Sequence, residues 1–256
     1  MFSLQNSQGE NIDFFTEVTK FSAYMRQSEF ARLMALYELY GKTTGLPGSL
    51  AEFGVWKGST FFFLARLIET FHAAQHERLP ISQRHLYGFE RFGGFAEISE
   101  EDLSSTPHDQ RRVGGLATNR DVFIHTFEHF KKVSRIAERV HLVEGDVSET
   151  FPRFNAEKKG VKFAFVLLDM DVYKPTKAVL DHILDHMVPN GIIVFDEYAQ
   201  PEWPGETLAA DEFIGRWGLE LESIPWAFGP TAYCRVTPEV LMRWNREKRE
   251  RPSTEA

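Results

Sequence analysis

The chain has 256 residues, 43% of them hydrophobic, and a formal net charge of −8, which fits one large domain or a domain with an appendage and argues against a nucleic-acid partner needing a basic face. A single cysteine, Cys234, excludes an intrachain disulfide and fits a reducing compartment. No apolar run approaches the roughly 20 residues that span a bilayer, and the first residues lack a basic and apolar leader pattern, so a cytoplasmic protein with no membrane partner is expected.

Residues 1–48 read as an N-terminal helical cap. From about Asp13 to Tyr40 apolar positions such as Phe30, Leu33, Met34 and Tyr37 fall at helical spacing. Core packing is the simpler role for these aromatics; an oligomer contact is the alternative. Gly45-Leu46-Pro47-Gly48 breaks the pattern, and the main domain is expected over 49–248, followed by a polar, disordered tail over 249–256.

A short strand then ends in Glu52-Phe53-Gly54-Val55-Trp56-Lys57-Gly58-Ser59, and an apolar helix starts directly after it. Gly54 and Gly58 would let the backbone turn tightly and approach a ligand. The spacing is not that of the dinucleotide fingerprint, and a plain turn is an equal reading. Glu52 at the strand end could hold an amine. The next strand, His85 to Glu90, ends in an acid where nucleotide-binding α/β domains take ribose hydroxyls.

From Arg91 to Thr118 the periodicity dissolves into Gly-, Ser- and Pro-containing sequence, long enough to be read as a lid or substrate loop over about 91–118. Arg111 and Arg112 could contact a phosphate there, although solvated surface charge is the simpler role for at least one. Asn119 to Lys132 reads as a helix. Arg139 to Val147 is a third strand ending in Gly145-Asp146, where Asp146 could cap the next helix or meet an adenine amino group.

The stretch from Val166 to Glu197 organises the rest. Two apolar strand-type runs, one ending in Asp169-Met170-Asp171 and one in Asp196-Glu197, flank a helix opened by Pro175-Thr176 and a Pro189-Asn190-Gly191 turn. In a β-α-β unit both strand ends lie on one edge. Four carboxylates would then converge, which suits a hard cation, although acids at strand ends also serve as caps or solvated turns. His182 and His186 fall between the strands, away from that edge. Thr207 to Trp217 reads as a helix, Glu220 to Ile224 and Thr231 to Val236 as an antiparallel strand pair closing the sheet, and Pro238 to Lys248 as a last helix.

Assembled, these blocks resemble the macrocin O-methyltransferase (TylF-like) family of class I S-adenosylmethionine-dependent, metal-dependent sugar methyltransferases. The resemblance runs over roughly residues 50–213. It rests on Ala51 to Gly58, Gly88 to Phe95, Glu144-Gly145-Asp146, Leu168 to Thr176, and Phe195-Asp196-Glu197-Tyr198 with Trp203-Pro204-Gly205. Asp196-Glu197 stands where the family usually has two Asp, Met170 where Gly is common, and Glu90 where Asp is usual. The resemblance implies a doubly wound α/β fold, mostly parallel and seven-stranded, with an antiparallel edge pair.

It also implies a site. Glu52 would hold the amino-acid end of S-adenosylmethionine, Gly54 the close backbone approach, Glu90 the ribose and Asp146 the adenine region, with Val55, Gly58, Ser59, Arg91, Val147 and Asp169 around them. Asp169, Asp196 and Glu197 would bind Mg²⁺ or another oxygen-preferring ion. Asp171 would be the general base. The implied partner is a small-molecule sugar acceptor, and a homo-oligomer is expected by analogy. A catechol-type phenol methyltransferase, a metal-dependent hydroxylase on the same fold and a non-catalytic cofactor binder are the competing readings.

Overall fold

A computed structural model of the chain describes residues 4–5, 8–13, 17–72 and 84–250. Leu4–Gln5 pairs antiparallel with Asn11–Ile12. One helical turn, Phe21–Tyr24, and helix α1, Gln27–Gly41, follow. The two are separated at Met25, whose backbone is extended (ψ 141°). Restarting is favoured by Glu29, whose Oε2 accepts the Arg26 N–H at 3.1 Å.

The buried face of α1 is Ala31, Ala35, Leu36, Leu39 and Tyr40. Phe30, Met34 and Tyr37, expected to be core, are instead 41%, 40% and 44% exposed. Small Ala31 and Ala35 let α1 lie close to its neighbours, which leaves the bulky residues on the outer side.

The remainder alternates strand and helix: β1 Ser49–Phe53, α2 Ser59–His72, β2 Leu86–Glu90, α3 Arg120–Val133, β3 Val140–Glu144, α4 Val147–Glu157, β4 Phe163–Leu168, α5 Tyr173–Leu180, β5 Met187–Phe195 and α6 Pro204–Trp217. The short pair β6 Leu221–Glu222 and β7 Ala232–Arg235 and then helix α7, Pro238–Glu250, complete it. The sheet order is β3-β2-β1-β4-β5-β7-β6. The first five strands in that order are mutually parallel, and β7 runs antiparallel to both β5 and β6. This is the expected doubly wound, seven-stranded α/β sheet with an antiparallel edge.

Helices cover both faces, so the central strands are buried without alternation: every residue of β1 and β4 is buried. One core layer stacks Phe53, Phe89, Phe151 and Phe154 between the sheet and α4. The other packs Phe61 of α2 against Phe123 and Phe127 of α3, beneath α1.

Pro189-Asn190-Gly191 is not a turn ahead of β5. It lies inside the strand as a bulge, where the register with β4 shifts and Asn190 takes φ 65°. Helix α6 starts three residues earlier than expected because Pro204 supplies its first turn, and it ends on Gly218 at φ 64°. Helix α7 takes in Arg249 and Glu250, which the sequence reading gave to the tail; residues 251–256 lie outside the described residues.

Candidate active site

In a parallel sheet flanked by helices, ligands bind beyond the carboxyl ends of the strands. Here the ends of β1, β2, β3, β4 and β5 open onto one cleft of about 620 Å³. Glu52, Gly54, Val55, Ser59, Glu90, Arg91, Asp146, Val147, Asp169, Asp171, Asp196 and Glu197 all line it. Gly58 does not. Its φ is 89°, and a Cβ there would lie 2.7 Å from Phe62 and 2.8 Å from Phe123, so it serves the packing of α2 on α3 rather than a ligand.

On the β1–β3 side the carboxylates divide their work. Glu52 is 1% exposed, and its Oε2 has no hydrogen-bond partner among the described residues. Burial, then the nearby charge of Asp169, pushes its pKa well above the ordinary carboxylate range. Glu90 accepts the backbone N–H of Trp56 and of Phe92, each at 2.6 Å, which shapes the glycine turn around it. Asp146 caps α4 by accepting the Ser148 N–H at 2.9 Å, while its other oxygen faces Arg91 at 3.9 Å. The helix-cap reading of Asp146 is therefore met, and the residue still borders the cleft.

On the β4–β5 side, oxygens of Asp169, Asp196 and Glu197 lie within 4.8 Å of one another. Glu197 is 8% exposed, and its Oε2 has no partner among the described residues. Burial, then Asp196 and Asp171, raises its pKa well above the usual value. Asp171 sits at φ 61° in a tight turn closed by the Val172 N–H on the Met170 carbonyl at 2.6 Å. Burial, then Asp169 and Glu206, pushes its pKa up.

Two residues of this cluster carried no sequence signal in the reading above. Arg32 of α1 reaches the rim: Nη2 donates to Asp169 Oδ2 at 2.6 Å and Nη1 to Asp196 Oδ1. Burial opposes its charge, but Asp196, Asp169 and Glu197 more than offset that and hold the guanidinium protonated. Glu206, in the first turn of α6, is fully buried and accepts the Glu197 N–H at 2.9 Å, with Oε2 unpartnered among the described residues. Burial chiefly pushes its pKa up to about 8. An acid just behind Trp203-Pro204-Gly205 was the one available pointer to Glu206.

Segment 91–118 is fastened rather than free. Phe95 and Gly115 pair by backbone, Phe95 and His108 pack on Trp203, and Ser104 Oγ donates to the Pro201 carbonyl. Arg111 donates to the carbonyls of Glu202, Ser104 and Thr106, so it clamps the segment instead of awaiting a phosphate. Arg112 donates to the Asp109 carbonyl on the surface. His186 lies just before β5, at the opposite edge of the sheet from the acids, and His182 and His186 flank a 3₁₀ turn beyond α5 rather than lying mid-helix.

Residues 29–221 match the macrocin-O-methyltransferase (TylF) family. The chain belongs to that family. As a TylF-family chain it is 23% identical over 158 residues to the mycinamicin III 3''-O-methyltransferase of Micromonospora griseorubida, a match covering 61% of this chain and 58% of that one. Over 175 residues it is 23% identical to the 8-demethyl-8-(2,3-dimethoxy-alpha-L-rhamnosyl)-tetracenomycin-C 4'-O-methyltransferase of Streptomyces olivaceus, covering 68% and 61%. The chain thus spans about three fifths of the length of these curated relatives. The crystal structure of CalS11, a calicheamicin methyltransferase, superposes with a TM-score of 0.77 at 28% identity, covering 89% of this chain and 87% of that one.

Proposed function

We propose that this TylF-family chain moves the methyl group of S-adenosylmethionine to a hydroxyl of a sugar, carried on a natural product or on a nucleotide. The observation that carries the reading is the meeting of two unlike half-sites in one cleft. Glu52 offers a buried carboxylate, one oxygen of it without a partner among the described residues, on the β1 side, and Asp169, Asp171, Asp196 and Glu197 crowd the β4–β5 side. Family membership supports methyl transfer, and the relatives' names supply the sugar, a rhamnosyl group in one of them.

In this reading Glu52 holds the amino-acid end of the cofactor by charge-assisted hydrogen bonds. Glu90 and Asp146 border the ribose and adenine ends. Val55, Ser59, Arg91 and Val147 line the wall between, and Gly54 keeps it close. Asp169, Asp196 and Glu197 fit a divalent ion such as Mg²⁺: the donors are all oxygens, one of them is buried without a partner, and the position already draws a positive guanidinium. Such an ion supplies Lewis acidity that makes an alcohol a better nucleophile. Asp171 takes the hydroxyl proton, and its buried surroundings raise its proton affinity. The cleft then has to align donor and acceptor in line.

A sugar acceptor is favoured over a catechol because the alcohol proton is harder to remove, and this rim concentrates proton acceptors. Self-association through the exposed stripe Phe30, Met34 and Tyr37 is part of the same reading. Among the described residues, no helix is long and apolar enough to cross a membrane.

The test is calorimetric. S-adenosylmethionine and Mg²⁺ are titrated into metal-stripped wild type and into Asp196→Ala. Cofactor binding by both proteins, with Mg²⁺ binding lost in the variant, is expected. Absence of cofactor binding overturns the methyltransferase reading, and turnover that survives exhaustive chelation overturns the metal role. Asp171→Asn is expected to lower kcat by about 100-fold or more while leaving cofactor affinity intact; near-normal turnover removes it as the base.

A further inference from the structure

We infer that the Arg32 guanidinium and the divalent ion compete for the same carboxylates, so that α1 is latched to the rim until the ion displaces it. This rests on the metal reading above. Arg32 comes from α1, far in sequence from its partners on the ends of β4 and β5, yet all three kinds of its side-chain nitrogen are engaged. Nη2 meets Asp169 Oδ2 at 2.6 Å, Nη1 meets Asp196 Oδ1, and Nε donates to Thr60 Oγ1 at 3.5 Å. Its side chain is only 23% exposed.

A planar guanidinium can bridge two carboxylates, which a single ammonium does less well. It thereby supplies the compensating charge that buried acids require. A dication drawn to the same two acids would meet that guanidinium at close range, and like charges in a partly buried site repel strongly. The cluster therefore has two ways to be neutralised, and they exclude each other. The consequence extends along α1. Met25, Arg26 and Glu29, around its start, form a wall of the same cleft together with Arg32 and Leu33. Exchange of Arg32 for the ion loosens that wall on the side open to an acceptor.

The test uses metal-stripped full-length protein and Mn²⁺ alone as the probe. Arg32→Met is expected to bind Mn²⁺ at least tenfold more tightly than wild type by calorimetry. It is also expected to melt lower without metal and to gain more in Tm when Mn²⁺ is added. Arg32→Lys is expected to fall between the two, and it decides the matter if Arg32→Met fails to fold. In wild type, Mn²⁺ is expected to speed amide hydrogen exchange in the first turns of α1. Equal or weaker Mn²⁺ binding by the variants overturns the inference, as does unchanged exchange in α1 of the wild type. Failure of wild type and variants alike to bind Mn²⁺ is a different result, and it removes the metal reading itself.

Discussion

A Cβ placed on Gly54 would lie 1.8 Å from the main-chain oxygen of Asp169. The turn after β1 and the acid block after β4 thus touch backbone to backbone, and the Asp169 N–H donates to the Phe53 carbonyl at 2.9 Å beside that contact. Gly54 also has φ 89°, which a side chain rarely tolerates. Gly54→Ala is therefore expected to destabilise the fold by at least about 2 kcal/mol, combining backbone strain with overpacking. An unchanged denaturation midpoint would mean that the two turns can part without cost.

Glu52 separates binding from stability. Its carboxyl is buried, one oxygen has no partner, and its raised pKa means that ionising it costs stability as pH rises above the ordinary range. Glu52→Gln keeps the shape and removes that cost. At pH 8 the apo variant is expected to be at least as stable as wild type, while S-adenosylmethionine binds about tenfold or more weakly, the scale of a lost charge-assisted hydrogen bond. Undiminished cofactor affinity would take Glu52 out of the cofactor site.

Asp102 ties the long segment between β2 and α3 to the carboxyl end of the sheet. The residue is 2% exposed; Oδ1 accepts the Tyr173 N–H at the start of α5 at 2.7 Å, and Oδ2 accepts from the Ser99 N–H and hydroxyl. Asp102→Ala is expected to cost about 1–2 kcal/mol, as for a lost helix cap, and to expose residues 91–118 to proteolysis. Asp102→Asn, which retains an acceptor, should do less. Protease resistance equal to wild type in the alanine variant would contradict the tether.

A pH dependence follows from His186. The residue is fully buried among Phe151, Phe154 and Phe163; Nδ1–H donates to the Val161 carbonyl at 2.8 Å, and Nε2 has no partner among the described residues. Burial holds its pKa below 6.5 against the Val161 hydrogen bond, with Lys162 and Lys248 acting the same way as burial and Asp185 against. The unfolded chain therefore takes up the proton first as pH falls, and stability is lost from about pH 6.5 downward. His186→Leu is expected to lose about 1 kcal/mol at pH 8 with the hydrogen bond, and to show a smaller further loss on going to pH 5.5. Denaturation curves at the two pH values decide it; parallel losses in both proteins would exonerate His186.

Glu52, Glu90, Asp146, Asp169, Asp171, Asp196 and Glu197 were legible in the sequence because each follows an apolar run that reads as a strand. Parallel β-α-β connections then force such residues to one edge whatever the rest of the chain does. The family resemblance drew on the same local blocks. Arg32 and Glu206 were not legible, since each lies on a helix and meets the acids only through the way α1 and α6 pack over the rim. No spacing rule connects Arg32 with Asp169 and Asp196. A glycine needed for aromatic packing and one needed for a ligand look alike in sequence, and only the fold places Phe62 and Phe123 beside Gly58. The exposure of Phe30, Met34 and Tyr37 is not legible either, because helical spacing defines a face without saying whether it is covered by the core or left outside. The sequence by itself determined the order of strands and helices and the edge at which the acids gather, because those depend on short-range periodicity and chain direction. Only the tertiary structure decided that Arg32 meets those acids, which glycine touches what, and which side of α1 faces out, because these depend on contacts between segments far apart in the chain.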